Sequence, residues 1–311
     1  MTRPRTNRSL SPGIESFESR TLPSMALGIA QHSATNSIVE SESIRHPVPS
    51  TSLLNKKNLT YETVGGLSLK LDTYAPASPA PLTGRPVILA IHGGGWHRFD
   101  KADYGRAVSV FTRAGYLVVA IDYRLSTPSQ PSWPAAFDDV RAAVIWVRQH
   151  AAQLQADPNR IVAMGESAGA HLAELLGANP QDPPGSPISA RVQAVVDFYG
   201  PADLIALDQE SIQGSSALRQ FLGGVPAAIS DSAKAASPID QINPNSAPTL
   251  IVQGLSDTVV PADQSEALSI ALAAAGVRHQ LILIPGASHG FRFRVGRLDL
   301  IPDVLAFLSA S

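Results

Sequence analysis

The segment AMGESAGAHLA, residues 163–173, places Ser167 between two glycines, Gly165 and Gly169. A serine hydroxyl becomes a useful nucleophile when a neighbouring base removes its proton. The strand-like run RIVAMG precedes the motif and the helix-like run SAGAHLAELLG follows it. A sharp turn from strand to helix raises a serine hydroxyl above a sheet. A serine that only caps a helix is the alternative, and the surrounding strand and helix favour a nucleophilic Ser167.

His289 is the candidate base for this serine. It lies in PGASHGF, between the last strand-like run and the last helix-like run. A hydrogen-bonded loop histidine without a catalytic role is the alternative there. His171 lies one helical turn after Ser167, where we expect it to pack. The base needs a carboxylate that fixes its tautomer and stabilises its cation. Asp257, directly after a strand-like run in VQGLSDTVVP, is the candidate, and a simple turn aspartate is the alternative.

The segment HGGGW, residues 92–96, carries three glycines directly after the third strand-like run. Glycines let a backbone approach a substrate closely, and their N–H groups, together with that of Ala168, can hold an oxyanion. One such donor typically lowers a barrier by about 3 kcal/mol. A phosphate-binding loop is the alternative, but neither Gly-Lys-Ser/Thr nor Gly-x-Gly-x-x-Gly occurs here. Trp96 and Tyr199 are candidates for the wall of a substrate pocket, and a core role is equally open for Trp96.

Strand-like and helix-like runs alternate from residue 58 onward, which predicts an α/β fold with a mostly parallel sheet. The first two of eight strand-like runs alternate apolar and polar residues, as in an antiparallel edge hairpin, here turning at Gly65 and Gly66. The later runs are nearly continuous in Val, Ile and Leu, which is typical of strands covered by helices on both faces. Residues 200–247 break the alternation and predict a small helical lid over the C-terminal edge of the sheet.

The chain has 311 residues, of which 44% are hydrophobic, a net charge of -2 and no cysteine. The near-neutral charge gives no electrostatic reason to expect nucleic acid or an anionic membrane as a partner. The sequence has no run of about 18 apolar residues, so no transmembrane helix is expected. The absence of cysteine excludes disulfides and cysteine metal sites.

The first 50 residues differ from the rest, being rich in Ser, Pro, Thr and Arg without any period. We expect a disordered leader over residues 1–50 and a catalytic domain over residues 51–311. Residues 14–24 resemble a short element near the N-terminus of many exported proteins in some bacteria. Export and a cytoplasmic location are therefore both open.

Several motifs together resemble the esterase branch of the α/β-hydrolase superfamily, over about residues 58–311. They are HGGGW, DYRL at 122–125, WPAAFDDVRAAVIWVRQHA, DPNRI, GESAG, the Asp257 loop and SHGF. The nearest groups are the hormone-sensitive-lipase-like carboxylesterases and the acetyl-xylan/feruloyl esterases. The order Ser167, Asp257, His289 is also the order that this fold requires. Hormone-sensitive-lipase-like enzymes usually carry a longer N-terminal cap and an Asp-Pro pair in the acid loop, where this chain has SDTVVP.

The resemblance implies an α/β-hydrolase fold and acyl transfer to water through an acyl-enzyme, without a metal or a cofactor. The residues that it implies are Ser167 as nucleophile, His289 as general base, Asp257 as its orienting acid, and the N–H groups of Gly94, Gly95 and Ala168 as the oxyanion hole. The expected function is a serine esterase for carboxylic esters of short acyl chains. Its partner would be a small-molecule ester or an esterified polysaccharide.

The same residues are also compatible with other functions. A carbohydrate esterase acting on acetyl-xylan or feruloyl esters is one alternative. An amidase or peptidase of the same fold is another, because the same groups attack amides. A binding protein that keeps the fold without the reaction is a third, which the three filled triad positions disfavour.

Overall fold

The computed structural model describes residues 54–104, 108–178 and 185–310, together with residues 52 and 182. The expected leader, residues 1–50, lies outside the described residues. The strands of the main sheet are β1 (Leu59–Val64), β2 (Leu67–Tyr74), β3 (Arg85–Ile91), β4 (Leu117–Ile121), β5 (Ala156–Glu166), β6 (Ala194–Phe198), β7 (Thr249–Gly254) and β8 (His279–Ile284). Within the described chain they form one eight-stranded sheet in the order β1-β2-β4-β3-β5-β6-β7-β8.

The sheet is antiparallel at one edge and parallel elsewhere. β1 and β2 form a hairpin and β2 pairs antiparallel with β4, whereas every pair from β4 to β8 is parallel. The hairpin turns at Gly65 and Gly66, with φ of 55° and 85°. Two successive left-handed residues match the twist of the flanking strands. The predicted mostly parallel, eight-stranded sheet with an antiparallel edge hairpin is confirmed.

Helices cover both faces of this sheet, which explains the continuous apolar runs of its central strands. In β3, Leu89 and Ile91 pack with the second and fourth helices on one face, and Ile88 and Ala90 pack with the first and last helices on the other. The helices are α1 (Val108–Arg113), α2 (Ala135–Gln149), α3 (Ala151–Leu154), α4 (Ala168–Ala178), α5 (Leu204–Glu210), α6 (Ile212–Leu222), α7 (Ser230–Ala236), α8 (Pro238–Gln241), α9 (Ala262–Ala274) and α10 (Ile301–Ser309). Within the described chain, every helix is too short or too polar to traverse a lipid bilayer.

Between β6 and β7, residues 200–247 fold into helices α5 to α8 and a 3-10 turn, Pro226–Ile229. The Asp203 carboxylate caps α5 by accepting two backbone N–H groups, and the Ser211 hydroxyl caps α6 by accepting one. Such caps satisfy backbone donors that a helix start otherwise leaves unpaired. The break in the alternation of strands and helices therefore corresponds to an inserted helical segment.

The sequence pattern predicts one helix over residues 134–154 and a last helix over about residues 298–308, and the structure differs at a boundary of each. The helix expected over residues 134–154 is interrupted at His150, whose ring stacks on Trp146 and whose Nδ1 donates to the Trp146 carbonyl at 2.8 Å. The helix expected over residues 298–308 begins only at Ile301, because Leu298–Asp299 pairs with Arg294–Val295 in a short antiparallel ladder. A side-chain hydrogen bond and a two-residue pairing set these boundaries, and neither leaves a periodic pattern in the sequence.

Glu174 of α4 and Asp197 of β6 form a pair of buried carboxyl groups. Asp197 Oδ1 accepts the N–H of Gly200 at 2.6 Å. Asp197 Oδ2 and Glu174 Oε1 have no hydrogen-bond partner among the described residues. Burial raises the pKa of Asp197 to about 7, and burial together with the charge of Asp197 raises the pKa of Glu174 well above its usual range. The pair therefore retains a proton at neutral pH.

Raising the pH from about 5 to about 8 should destabilise the folded protein through this pair. A carboxyl whose pKa is raised on folding contributes stability that is fully present below its unfolded value of about 4. That contribution is lost as the pH rises through the folded value of about 7. Between these pH values, we expect the Tm of Asp197→Asn to fall several degrees less than the Tm of the unaltered protein. A change of 1 kcal/mol in the free energy of unfolding corresponds to about 2–4 °C in a domain of this size.

Thermal melts at the two pH values measure this difference. Asp263→Asn, which changes an exposed carboxylate on α9, is the matched control. Equal pH dependence of Tm in both variants and in the unaltered protein would contradict the assignment of a proton to the buried pair.

Candidate active site

The turn between β5 and α4 holds Ser167 in a left-handed backbone conformation, with φ of 54°. Its backbone N–H donates to the Phe198 carbonyl at 2.9 Å, which ties the turn to β6. A Cβ at Gly165 would overlap the backbone of Gly169, and a Cβ at Gly169 would overlap the carbonyl of Ile91. Close packing of α4 against β3 and β5 therefore requires both glycines, and the same packing maintains the strained conformation of Ser167.

Three side chains from different strand ends meet in a row of hydrogen bonds. Ser167 Oγ lies 3.0 Å from His289 Nε2, and His289 Nδ1 lies 2.7 Å from Asp257 Oδ2. Because Nδ1–H donates to the carboxylate, Nε2 carries the lone pair that can accept the serine proton. The three residues predicted as a triad are thus brought together, in an arrangement that can activate the Ser167 hydroxyl by general-base catalysis.

Asp257 is held by the backbone as well as by the histidine. Its Oδ1 accepts the N–H groups of Val259 and Val260 at 2.8 and 2.9 Å, and its side chain is completely buried. One carboxylate oxygen therefore shapes the loop after β7, while the other orients His289.

Backbone hydrogen bonds continue the ladder of the sheet beyond the strand ends and into the loops of the site. The Tyr199 N–H donates to the Val252 carbonyl, and the Ser256 N–H donates to the Ala287 carbonyl, each at 2.9 Å. The bond from Ser167 to β6 is a third link of the same kind. The loops that carry the candidate residues are therefore attached to their neighbours along the sheet.

Tyr199, predicted as a pocket residue, supports the loop that carries His289. Its ring centroid lies 4.8 Å from that of His289, and its Oη donates to the Phe291 carbonyl at 2.6 Å. Its backbone is left-handed, with φ of 48°, and its side chain is buried beside the cavity described below. Tyr199 therefore borders the site and at the same time holds the histidine loop in place.

The glycine loop after β3 packs directly on the nucleophile turn. A Cβ at Gly93 would come within 2.8 Å of the Glu166 carbonyl. Gly94 and Gly95 have φ of 103° and 58°, which glycine adopts readily. Their N–H groups, like that of Ala168, donate to no acceptor among the described residues. These three N–H groups can thus bind an added acceptor, and Gly94 and Gly95 line the same cavity as Ser167.

Trp96 borders the cavity, but its ring lies in the core. The residue is 3% exposed, and its ring stacks on Phe221 with centroids 4.6 Å apart and donates from Nε1 to His171 Nδ1 at 3.2 Å. His171 Nε2–H in turn donates to the Ala236 carbonyl at 2.7 Å, and burial lowers the pKa of His171 to about 4. His171 is therefore a neutral packing residue, and the ring of Trp96 packs with it.

A cavity of about 280 Å³ opens at Ser167. Part of its lining is apolar and comes from the helical insertion and the acid loop, namely Pro201, Leu207, Ala217, Val259 and Val260. Another part is polar and comes from the 3-10 turn Lys101–Tyr104, the end of β5 and the loop after β8, namely Asp103, Tyr104, Glu166 and Arg292. The site can therefore hold an apolar group and a polar group of one substrate at the same time.

Glu166 and Arg292 are site residues that the sequence alone did not predict. Arg292 Nε lies 3.1 Å from Glu166 Oε1, and Arg292 Nη1 donates to the Asp103 carbonyl at 2.7 Å. Burial raises the pKa of the Glu166 carboxyl, and the nearby guanidinium opposes that rise. Their positions, directly before Ser167 and three residues after His289, are the signal that could have singled them out.

The sequence is similar to a protein family and to individual esterases. The BD-FAE family model matches residues 71–272. Esterase LipQ of Mycobacterium tuberculosis is 32% identical over 236 residues, which are 73% of this chain and 55% of that protein. The chain spans about half the length of the curated relatives that it matches first.

Two solved structures are similar over most of the described fold. A truncated form of a carbohydrate esterase from gut microbiota has a TM-score of 0.71 and 26% identity, covering 82% of this chain and 95% of that chain. The thermophilic esterase Est2 of the planctomycete Thermogutta terrifontis has a TM-score of 0.66 and 31% identity, covering 82% and 90%. Est2 has also been solved with propionate bound, with butyrate bound and phosphorylated by paraoxon.

Proposed function

The chain belongs to the BD-FAE family of α/β-hydrolases, and from that premise we propose that it is a serine hydrolase that cleaves carboxylic esters. The observation that carries this proposal is the row of hydrogen bonds from Ser167 through His289 to Asp257, at the floor of a cavity. In this proposal Ser167 is the nucleophile and His289 is the general base and acid. Asp257 keeps the proton of the neutral imidazole on Nδ1.

The proposed reaction runs in two stages. His289 takes the proton of Ser167 as the serine oxygen attacks the ester carbonyl. The N–H groups of Gly94, Gly95 and Ala168 stabilise the oxyanion that forms. The tetrahedral intermediate then collapses, and the departing alcohol receives its proton from His289. Water attacks the acyl-enzyme by the same route and releases the carboxylic acid.

The acyl group in this proposal is short. The cavity of about 280 Å³ lies at the small end of ligand sites, and Leu207, Ala217 and Val259 give it an apolar lining for an alkyl chain. The propionate and butyrate bound to Est2 are ligands of that size. Residues 200–247 serve as a lid in the proposal, because Leu207 and Ala217 of this segment border the cavity.

A panel of p-nitrophenyl esters tests the proposed acyl length. We expect kcat/KM to be highest for acetate, propionate or butyrate, and to fall about tenfold or more for octanoate, because the longer chain does not fit the lined cavity. Paraoxon should phosphorylate Ser167, which peptide mass spectrometry detects. Modification at another residue, or a preference for the octanoate ester, would contradict the proposal.

A carbohydrate ester is the second candidate substrate. The polar part of the cavity and the likeness to a truncated carbohydrate esterase support it. Hydrolysis of acetylated xylan and methyl ferulate, measured in the same panel, distinguishes a carbohydrate esterase from a general short-chain esterase. N-formylkynurenine distinguishes both from an amidase of the same fold.

A further inference from the structure

The hydroxyl of Tyr104 is buried beside the cavity and has no hydrogen-bond partner among the described residues. Tyr104 ends the 3-10 turn Lys101–Tyr104 and is 2% exposed. Leaving a buried polar group unpaired costs about 1–3 kcal/mol, so such groups are uncommon and call for a physical explanation. A substrate group that supplies the missing partner is such an explanation.

Tyr104, Glu166 and Arg292 together form a polar cluster on this side of the cavity. The guanidinium carbon of Arg292 lies 5.9 Å from the centre of the Tyr104 ring, and Arg292 Nε is 3.1 Å from Glu166 Oε1. Arg292 Nη1 is used by the Asp103 carbonyl, whereas Nη2 has no acceptor among the described residues. The polar cluster therefore presents a cationic donor, a carboxylate acceptor and a hydroxyl to one region of the cavity.

The chemistry of the polar cluster selects a neutral hydroxyl group. Glu166 and the neighbouring Asp103 disfavour an anion, and Arg292 disfavours a cation. A hydroxyl both donates and accepts, so it can donate to Glu166 while it accepts from Arg292 or Tyr104. Burial holds the pKa of Tyr104 well above its usual range, so its phenol stays protonated and can donate.

The position of the polar cluster indicates which part of the substrate meets it. His289 must protonate the departing alcohol, so the alcohol oxygen lies within reach of His289 Nε2. Arg292 is three residues after His289 on the same loop, and Glu166 directly precedes Ser167. The polar cluster lines the same cavity as Ser167 and His289, and the apolar lining of that cavity comes from the insertion and the acid loop. The apolar lining suits the acyl chain, so the alcohol part of the ester is assigned to the polar cluster.

We propose that Tyr104, Glu166 and Arg292 form a subsite for a hydroxyl group on the alcohol part of the ester, so that esters of polyhydroxylated alcohols are preferred. This subsite rests on the proposed ester hydrolysis at Ser167. Because the guanidinium lies over the Tyr104 ring, a bound hydroxyl meets Arg292 and Glu166 first. Contact with the buried Tyr104 hydroxyl then requires Arg292, whose side chain is 37% exposed, to shift toward the ligand.

Two acetates of nearly equal size test the subsite. Glyceryl monoacetate carries hydroxyls on its alcohol part, whereas propyl acetate carries none. We expect the unaltered protein to have the higher kcat/KM for glyceryl monoacetate. Tyr104→Phe should reduce that preference about three- to tenfold, which is the contribution of one neutral hydrogen bond. Its Tm should stay equal or rise, because the substitution removes an unpaired polar group.

Tyr116→Phe is the matched control, since it removes a tyrosine hydroxyl that does not border the cavity, and it should keep the preference. Arg292→Gln should reduce the preference more than Tyr104→Phe, because hydrogen bonds from a charged donor are about twice as strong. An unchanged preference in Tyr104→Phe, or equal reactivity of the two acetates in the unaltered protein, would overturn the subsite alone. Absence of any Ser167-dependent hydrolysis of either acetate would overturn the proposed function, and the subsite with it.

Discussion

Ser167→Ala should lower kcat for p-nitrophenyl acetate by about four to six orders of magnitude. The substitution removes the oxygen that would form the acyl-enzyme, while His289 stays hydrogen-bonded to Asp257 at 2.7 Å. The turn should remain folded, because alanine replaces serine at the same φ of 54° and the N–H bond to the Phe198 carbonyl does not involve the side chain. The residual rate would come from the oxyanion donors and from binding alone.

Ser256→Ala is the matched control for this prediction. Ser256 is exposed on the acid loop and contributes its backbone N–H, not its hydroxyl, to the hydrogen bonds of the site. It should keep kcat and Tm close to those of the unaltered protein. A kcat for Ser167→Ala within about tenfold of the unaltered value, which corresponds to only 1.4 kcal/mol of barrier, would show that another group performs the reaction.

Asp257→Asn should lower kcat about 10⁴-fold while preserving the fold. The amide oxygen of asparagine can still accept the N–H groups of Val259 and Val260, which Asp257 Oδ1 now accepts at 2.8 and 2.9 Å. The amide nitrogen then faces His289 Nδ1 and donates to it. The imidazole proton must move to Nε2, where it blocks the lone pair that would take the serine proton.

Asp203→Asn is a closely matched control, because the Asp203 carboxylate also accepts two backbone N–H groups, at 2.9 and 3.0 Å, and has no histidine partner. We expect similar shifts in Tm for the two variants and a large loss of kcat only for Asp257→Asn. Equal losses of kcat would mean that Asp257 acts only through the shape of its loop. Steady-state kinetics with p-nitrophenyl acetate, paired with thermal melts, separates the two outcomes.

The sheet could be predicted because its central strands are short runs of β-branched and aliphatic residues buried on both faces. The run LVVAI of β4, for example, is buried at every position. Helix ends were less predictable, because contacts outside the helical period set them. His150, whose ring stacks on Trp146 and donates to its carbonyl, lies at the end of α2. The pairing of residues 298–299 with residues 294–295 moves the start of α10 to Ile301.

The candidate triad could be predicted because Ser167, Asp257 and His289 each follow a strand, and parallel strands bring such positions to one edge of a sheet. The contact between Glu166 and Arg292 could not, because it depends on how the loop after β8 folds over the 3-10 turn. The direction of the Trp96 ring depends on a left-handed backbone, with φ of 59°. The sequence contains no pattern that indicates either conformation.

Backbone hydrogen bonds join the site loops from strand to strand. They imply that the residues proposed to react and the residues that line the cavity for the substrate are held by different parts of the fold. Ser167, Tyr199 and the acid loop are anchored to the ladder of the sheet through backbone hydrogen bonds, which do not depend on the side chains of the insertion that line the cavity. Leu207 and Ala217 border the same cavity but belong to an insertion outside that ladder. If the proposed ester hydrolysis holds, substitutions of Leu207 and Ala217 should therefore change which acyl groups are accepted while the triad stays in place.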